Sequence, residues 1–154
     1  MCKLEREATL SVSVRGAALA SITCPALSRY TLLARRITAD RCLAILAHGG
    51  LRPGTNQRVL RKQTVAIVVA IMATCGMYNE SGNYLVSTGM PAKSGVSGVI
   101  VAVVPGIAGV AVSSPRVNDK GGSVRGHMIL RELSRQLGWH FALANASVHT
   151  APPT

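Results

Sequence analysis

Aromatic side chains are nearly missing from this chain, which has three tyrosines, one tryptophan and one phenylalanine among 154 residues. Any core must therefore be built from Val, Ile, Leu and Ala; with 48% hydrophobic and 15% charged residues there is enough of them for one folded domain. Acidic residues are also scarce. Six Asp and Glu face seventeen Lys and Arg, a formal net charge of +11. A balance of that kind points towards nucleic acid or an anionic membrane surface. The bases are scattered, however, with no run longer than the pairs Arg35-Arg36 and Arg61-Lys62. Tyr30, Tyr78, Tyr84, Trp139 and Phe141 do not interleave with them as stacking platforms would. No nucleic-acid partner is expected.

Paired metal ligands are lacking too. Cys2, Cys24, Cys42 and Cys75 form no Cys-x-x-Cys and have no histidine pair beside them, so neither a metal site, a metal cofactor nor a disulfide framework is expected. The four read as reduced, mostly buried thiols of a cytoplasmic protein. Residues 1–24 are not expected to be a secretory leader, because Glu5, Glu7 and Arg15 interrupt the pattern it needs. There is no internal repeat.

Residues 1–31 keep neither a helical nor a strand period. From Thr38 the order improves. Thr38 is placed as an N-cap with Asp40 in the first turn, and Cys42, Leu43, Ile45 and Leu46 give an apolar face before Gly49-Gly50. Pro53-Gly54 is a turn. A second helix is predicted from about Arg61 to Cys75, apolar nearly all round and therefore central and buried. After a turn at Asn79 to Gly82, Tyr84 to Ser87 reads as a short strand. Val96 to Val112 carries no charge and is marginal for a membrane span; Pro105-Gly106 in its middle favours two buried antiparallel strands instead. The competing identity that goes with a span is a small basic membrane-associated protein. Asn118 to Gly122 is a loop, and Ser123 caps a last helix with Met128, Leu130, Leu133 and Leu137 inward and Arg125, Arg131, Glu132 and Arg135 outward. The tail from Ala142 frays.

Two features carry chemistry. Lys93-Ser94-Gly95 joins a turn to a buried strand, and a Lys-Ser/Thr-Gly of that kind opens the strand beside the active site of penicillin-recognising serine hydrolases. Such a strand offers a positive field and a backbone N–H aimed at an oxyanion. Tyr78, just before the turn, is a half-buried ring, or a proton carrier if a lysine stands next to it.

Cys75-Gly-Met-Tyr78, Ser81-Gly82, Gly89-Met-Pro-Ala-Lys-Ser-Gly-Val96 and Val103-Val-Pro-Gly106 stand in an order and spacing that closely resemble the bacterial and mitochondrial glutaminases. Leu46-Ala-His-Gly-Gly50, Arg58-Val-Leu60, Ser114-Pro115 and Gly122-Ser-Val-x-Gly126 extend the likeness over roughly residues 32–140. The resemblance implies an α+β, serine β-lactamase/penicillin-binding-protein-like fold, an antiparallel sheet flanked by helices, of which this chain holds the C-terminal portion at 32–141. Residues 1–31 would be a leader without family counterpart and 142–154 a tail. It also implies hydrolysis of L-glutamine to L-glutamate and ammonia by a serine nucleophile, with no cofactor, no membrane and a homo-oligomer for the intact family.

Carried over residue by residue, Tyr78 would contact the glutamine and help proton transfer, and the Val96 backbone N–H would form half of the oxyanion hole. Lys93, Ser94 and Gly95 would position that strand edge. Another substrate tyrosine of the family falls near Ala26, with Tyr30 four positions late. The family's Ser-x-x-Lys is absent: nothing precedes Lys3 at that spacing, and Val59, Met90 and Val117 precede Lys62, Lys93 and Lys120. The chain is therefore expected to be inactive alone, with apolar surface left uncovered, poor solubility or a weakly cooperative melt.

Overall fold

The computed structural model describes residues 9–14, 17–18, 38–115 and 117–143. Five strands form one antiparallel sheet in the order β2-β1-β5-β4-β3: β1 (Thr9–Val14), β2 (Ala17–Ala18), β3 (Ala92–Gly95), β4 (Val99–Val104) and β5 (Ala108–Ser113). Among the described residues four helices accompany it: α1 (Thr38–Ala47), α2 (Lys62–Cys75), α3 (Ser81–Thr88) and α4 (Val124–Leu137). A single 3-10 turn, Tyr78–Glu80, leads into α3.

The run from Val99 to Ser113 is two strands, as predicted, and the reason lies in what covers them. Successive residues of a strand face opposite sides. Ile100, Ala102 and Val104 join Val110, Val112, Ile129, Leu130 and Leu133 in one core cluster. Val103 and Ala111 join Leu43, Ala47 and Met72 in a second cluster on the other side. With helices on both faces every position is apolar, so no alternation shows in the sequence. Pro105 and Gly106 (φ +77°) make the reversal, closed by the Ile107 N–H on the Val104 carbonyl at 3.0 Å. No helix among the described residues is long and apolar enough to cross a membrane, and the apolar run offered for a span is the centre of a sheet. The membrane-associated reading is dropped.

Further expectations need correction. Tyr84 to Ser87 is not a strand but the middle of α3. Ser81, Tyr84 and Thr88 are its buried residues, a helical spacing, and Gly89 ends it in the left-handed conformation (φ +62°) with its N–H on the Leu85 carbonyl at 2.7 Å. Helix α2 forms where expected but is not central: Val65 and Met72 are buried, whereas Ile67 and Ile71 are 54% and 53% exposed. Its inner stripe touches the sheet, α3 packs beside it, and among the described residues nothing covers Ile67 and Ile71. Of the thiols, Cys42 and Cys75 are free and exposed rather than buried; Cys2 and Cys24 lie outside the described residues, as do Ala26, Tyr30 and the tail from residue 144.

Helix α1 spans the expected residues, although the side chains of its proposed cap Thr38 and of Asp40 are outside the description. Gly109 of β5 sits where a Cβ would come within 2.4 Å of the Leu43 Cβ, so α1 lies directly on the strand. In α4 the Ser123 hydroxyl accepts from the Gly126 N–H at 3.2 Å, the expected cap, and Leu130 and Leu133 are buried. Met128 and Leu137 face outward instead, and Ile129, Gly126 and Ser134 take the inner places.

Candidate functional site

The residues after α2 turn sharply against the free edge of β3. The Ser94 N–H donates to the Gly76 carbonyl at 3.0 Å, and a Cβ on Gly76 would come within 1.8 Å of the Ala92 carbonyl oxygen. Only a bare Cα lets the two backbones meet. Two residues on, Tyr78 takes a left-handed φ of +53°, an uncommon conformation for an aromatic residue. Ser81 holds it there. Its hydroxyl accepts from the Met77 N–H at 3.0 Å and donates to the Tyr78 carbonyl at 2.8 Å, so the peptide between them is clamped from both ends. The Tyr78 ring is left 45% exposed.

Lys93 leaves β3 on its open face and places its ammonium over that ring, 4.2 Å from the centroid, while also donating to the Ser94 carbonyl. The lysine next to Tyr78 thus meets the face of the ring, a cation–π contact that fixes its tilt. Ser94 points the other way and is buried, its hydroxyl without a hydrogen-bond partner among the described residues. It is a packing residue, not an accessible nucleophile. Gly95 begins the turn to β4, closed by the Gly98 N–H on the Gly95 carbonyl at 3.0 Å. Val96 rides on that turn, 73% exposed, and among the described residues nothing accepts from its backbone N–H.

The structure therefore brings the five expected residues together around one pairing. Tyr78 and Val96 each lie two residues, at most about 7 Å of chain, beyond the Gly76–Ser94 hydrogen bond. Lys93 touches Tyr78 directly; Ser94 and Gly95 support from behind.

A second layer was not singled out from the sequence. Glu80, at the end of the 3-10 turn, accepts from the Asn118 amide at 3.2 and 3.1 Å on its two oxygens, with the Lys120 ammonium 4.0 Å away. The Tyr84 ring stands 5.2 Å from that of His127. Burial pushes the Tyr84 hydroxyl up from its usual range. Burial also lowers the His127 imidazole, against the weaker pull of the Glu80 carboxylate. Asn118 was legible only as a loop residue. The signal for more was its Asn-Asp-Lys-Gly-Gly context, in which a turn-forming side chain bonds its own backbone. Elsewhere Arg58 donates to the Gly49 and Leu60 carbonyls at 3.0 and 3.1 Å, which ties the Gly49-Gly50 turn to the segment before α2.

Comparison with known proteins gives a consistent picture. The sequence profile described as Glutaminase matches residues 30–141. A glutaminase of Legionella pneumophila (strain Corby) is 58% identical over 100 residues, which is 65% of this chain and 32% of the relative. One from Corynebacterium glutamicum is 42% identical over 115 residues, covering 72% and 28%. Among solved structures, a Bacillus subtilis glutaminase in covalent complex with 5-oxo-L-norleucine superposes with a TM-score of 0.64 at 36% identity, over 67% of this chain and 38% of that one. The chain spans about a third of the length of the curated relatives it matches.

Proposed function

Since this chain belongs to the glutaminase family and shares its serine β-lactamase-like α+β architecture, we propose that residues 32–141 build one wall of a site that hydrolyses L-glutamine to L-glutamate and ammonia. The observation that supports the reading is the pairing of the Cys75–Tyr78 turn with β3, because a clamped, exposed tyrosine and the Val96 backbone N–H, without an acceptor among the described residues, each lie two residues from the same hydrogen bond.

In this reading the Val96 N–H meets the amide oxygen of glutamine and takes up the negative charge that develops there as the carbonyl is attacked. The Tyr78 hydroxyl contacts the substrate and passes a proton at the nucleophile. Lys93 holds the tyrosine ring. The amide nitrogen departs as ammonia, and the oxygen of water ends in the new carboxylate. These 154 residues contain no Ser-x-x-Lys, so the chain alone supplies binding and an oxyanion contact without a nucleophile, a deficit of many orders of magnitude in rate. The substrate is L-glutamine, with no nucleic-acid or membrane partner, and the exposed thiols Cys42 and Cys75 suit a reducing, cytoplasmic setting.

The test is hydrogen exchange of the purified chain, read by mass spectrometry with and without glutamine, together with ammonia release. Glutamine is expected to protect the segments containing Tyr78 and Val96, with no ammonia above background. Absence of protection at both segments defeats the glutamine site. Ammonia release at the rate of an intact relative defeats the claim that the chain is inactive alone.

A further inference from the structure

We propose that Asn118 is a positioning residue for this site, acting through the 118–122 loop to set Tyr78 against Val96. The proposal rests on the reading above for what the two residues do, and on geometry alone for how they are held.

Tyr78 and Val96 sit on different elements, a 3-10 turn and the β3–β4 turn, and the loop after β5 touches both. On one side Asn118 gives its side-chain amide to the Glu80 carboxylate, and Glu80 is two residues from Tyr78 in the same 3-10 turn. On the other side the loop backbone runs against Val96: a Cβ on Gly121 would stand 3.2 Å from Val96 Cγ1. What joins the two contacts is the rest of the Asn118 side chain. Its oxygen accepts from the Lys120 N–H at 3.0 Å and from the Gly122 N–H at 2.8 Å, while the Asn118 N–H donates to the Gly122 carbonyl at 2.8 Å. One carboxamide thus folds the loop with its oxygen and anchors the loop to Glu80 with its nitrogen.

The fit is close on the Glu80 side as well. A Cβ on Gly122 would come within 2.8 Å of Glu80 Oε2, so the loop backbone lies flat on the carboxylate. Gly121 has a φ of +79°, which lets the loop reverse beneath Val96 without strain. From the other end the loop is tied by the Ser123 hydroxyl on the Ser114 carbonyl at 3.0 Å. A shift at Asn118 is therefore transmitted to two residues that share no covalent segment. Small misplacements of positioned groups are costly in such sites, up to about a hundredfold for 1 Å.

Hydrogen exchange without glutamine measures the coupling. Asn118→Ala removes the amide's contact with Glu80 and both bonds to its oxygen, and is expected to speed exchange at least about tenfold in both the 76–82 and the 95–98 segments, while β4 and β5 stay protected. Asn118→Asp, which sets two carboxylates together, should open both segments further. The double variant Glu80→Gln with Asn118→Asp reverses donor and acceptor, keeps the oxygen for the Lys120 and Gly122 N–H groups, and should restore both segments. The proposal is overturned if only one segment responds, if the double variant exchanges as fast as Asn118→Asp, or if every Asn118 variant loses protection in β4 and β5, which would mean general packing. Because no substrate is present, failure of glutamine to bind leaves this coupling standing. Loss of the coupling likewise leaves the glutamine site to its own test.

Discussion

Gly76 has an ordinary helical φ of −68°, yet no side chain fits there. Its constraint is contact, with the Ala92 and Met72 carbonyl oxygens 1.8 and 2.5 Å from any added Cβ. Gly76→Ala should push the Tyr78 turn off β3 and cost about 3 kcal/mol by urea unfolding, in the range of buried overpacking. Gly82→Ala is the control. Nothing lies within 4 Å of its added Cβ inside α3, so it should be neutral or stabilise by about 0.5 kcal/mol. A loss at Gly82 as large as at Gly76 would show that the crowding at Ala92 is not the cause. The sequence shows Gly76 at the end of a predicted helix and Gly82 at the end of a turn and does not rank them, since the close approach to Gly76 is made by a strand sixteen residues away.

The elements differ in how much of their cause is local. Helix α4 was legible because its signals sit next to it: Ser123 before it, Gly138 after it, and Leu130 and Leu133 one turn apart. The hairpin β4–β5 was legible through Pro105-Gly106. Helix α3 was misread, because Tyr84 and Val86 favour strands locally and the outcome is decided by burial of Tyr84 in the core with α4 and the sheet and of Thr88, whose carbonyl accepts from Ser134 of α4. β1 was invisible, since the strand it pairs with along its whole length, β5, lies about a hundred residues away. At the site, the motif gave Tyr78 and Val96 their places, but neither the ring-on-ammonium contact nor Asn118 follows from spacing. Element α4 also carries a prediction. The Ser123 hydroxyl caps the helix and donates to the buried Ser114 carbonyl, so Ser123→Ala should cost about 2 kcal/mol, more than a surface cap alone. A change below about 0.5 kcal/mol in the same unfolding assay would mean that water replaces both bonds.

At the scale of the whole molecule, β4 and β5 are covered on both faces while α2 turns Ile67 and Ile71 outward and α3 leaves Val86 80% exposed. Exposed apolar groups of this kind drive self-association. Light scattering should show the chain associating as its concentration rises. The pair Ile67→Glu with Ile71→Lys, one turn apart in the favourable order, should reduce that association with little change in stability. A chain that stays monomeric without the substitutions would show that this surface is harmless. The register of β1 has a consequence in time. Thr9 pairs with Ser113 and Val14 with Ala108, about a hundred residues apart, whereas β3, β4 and β5 are joined by turns of a few residues. A ribosome adding about 5–20 residues per second leaves residues 9–14 waiting roughly 5–20 s for their partner. β3, β4 and β5 can pair as they emerge, whereas β1 joins them only after the strand it needs has been made.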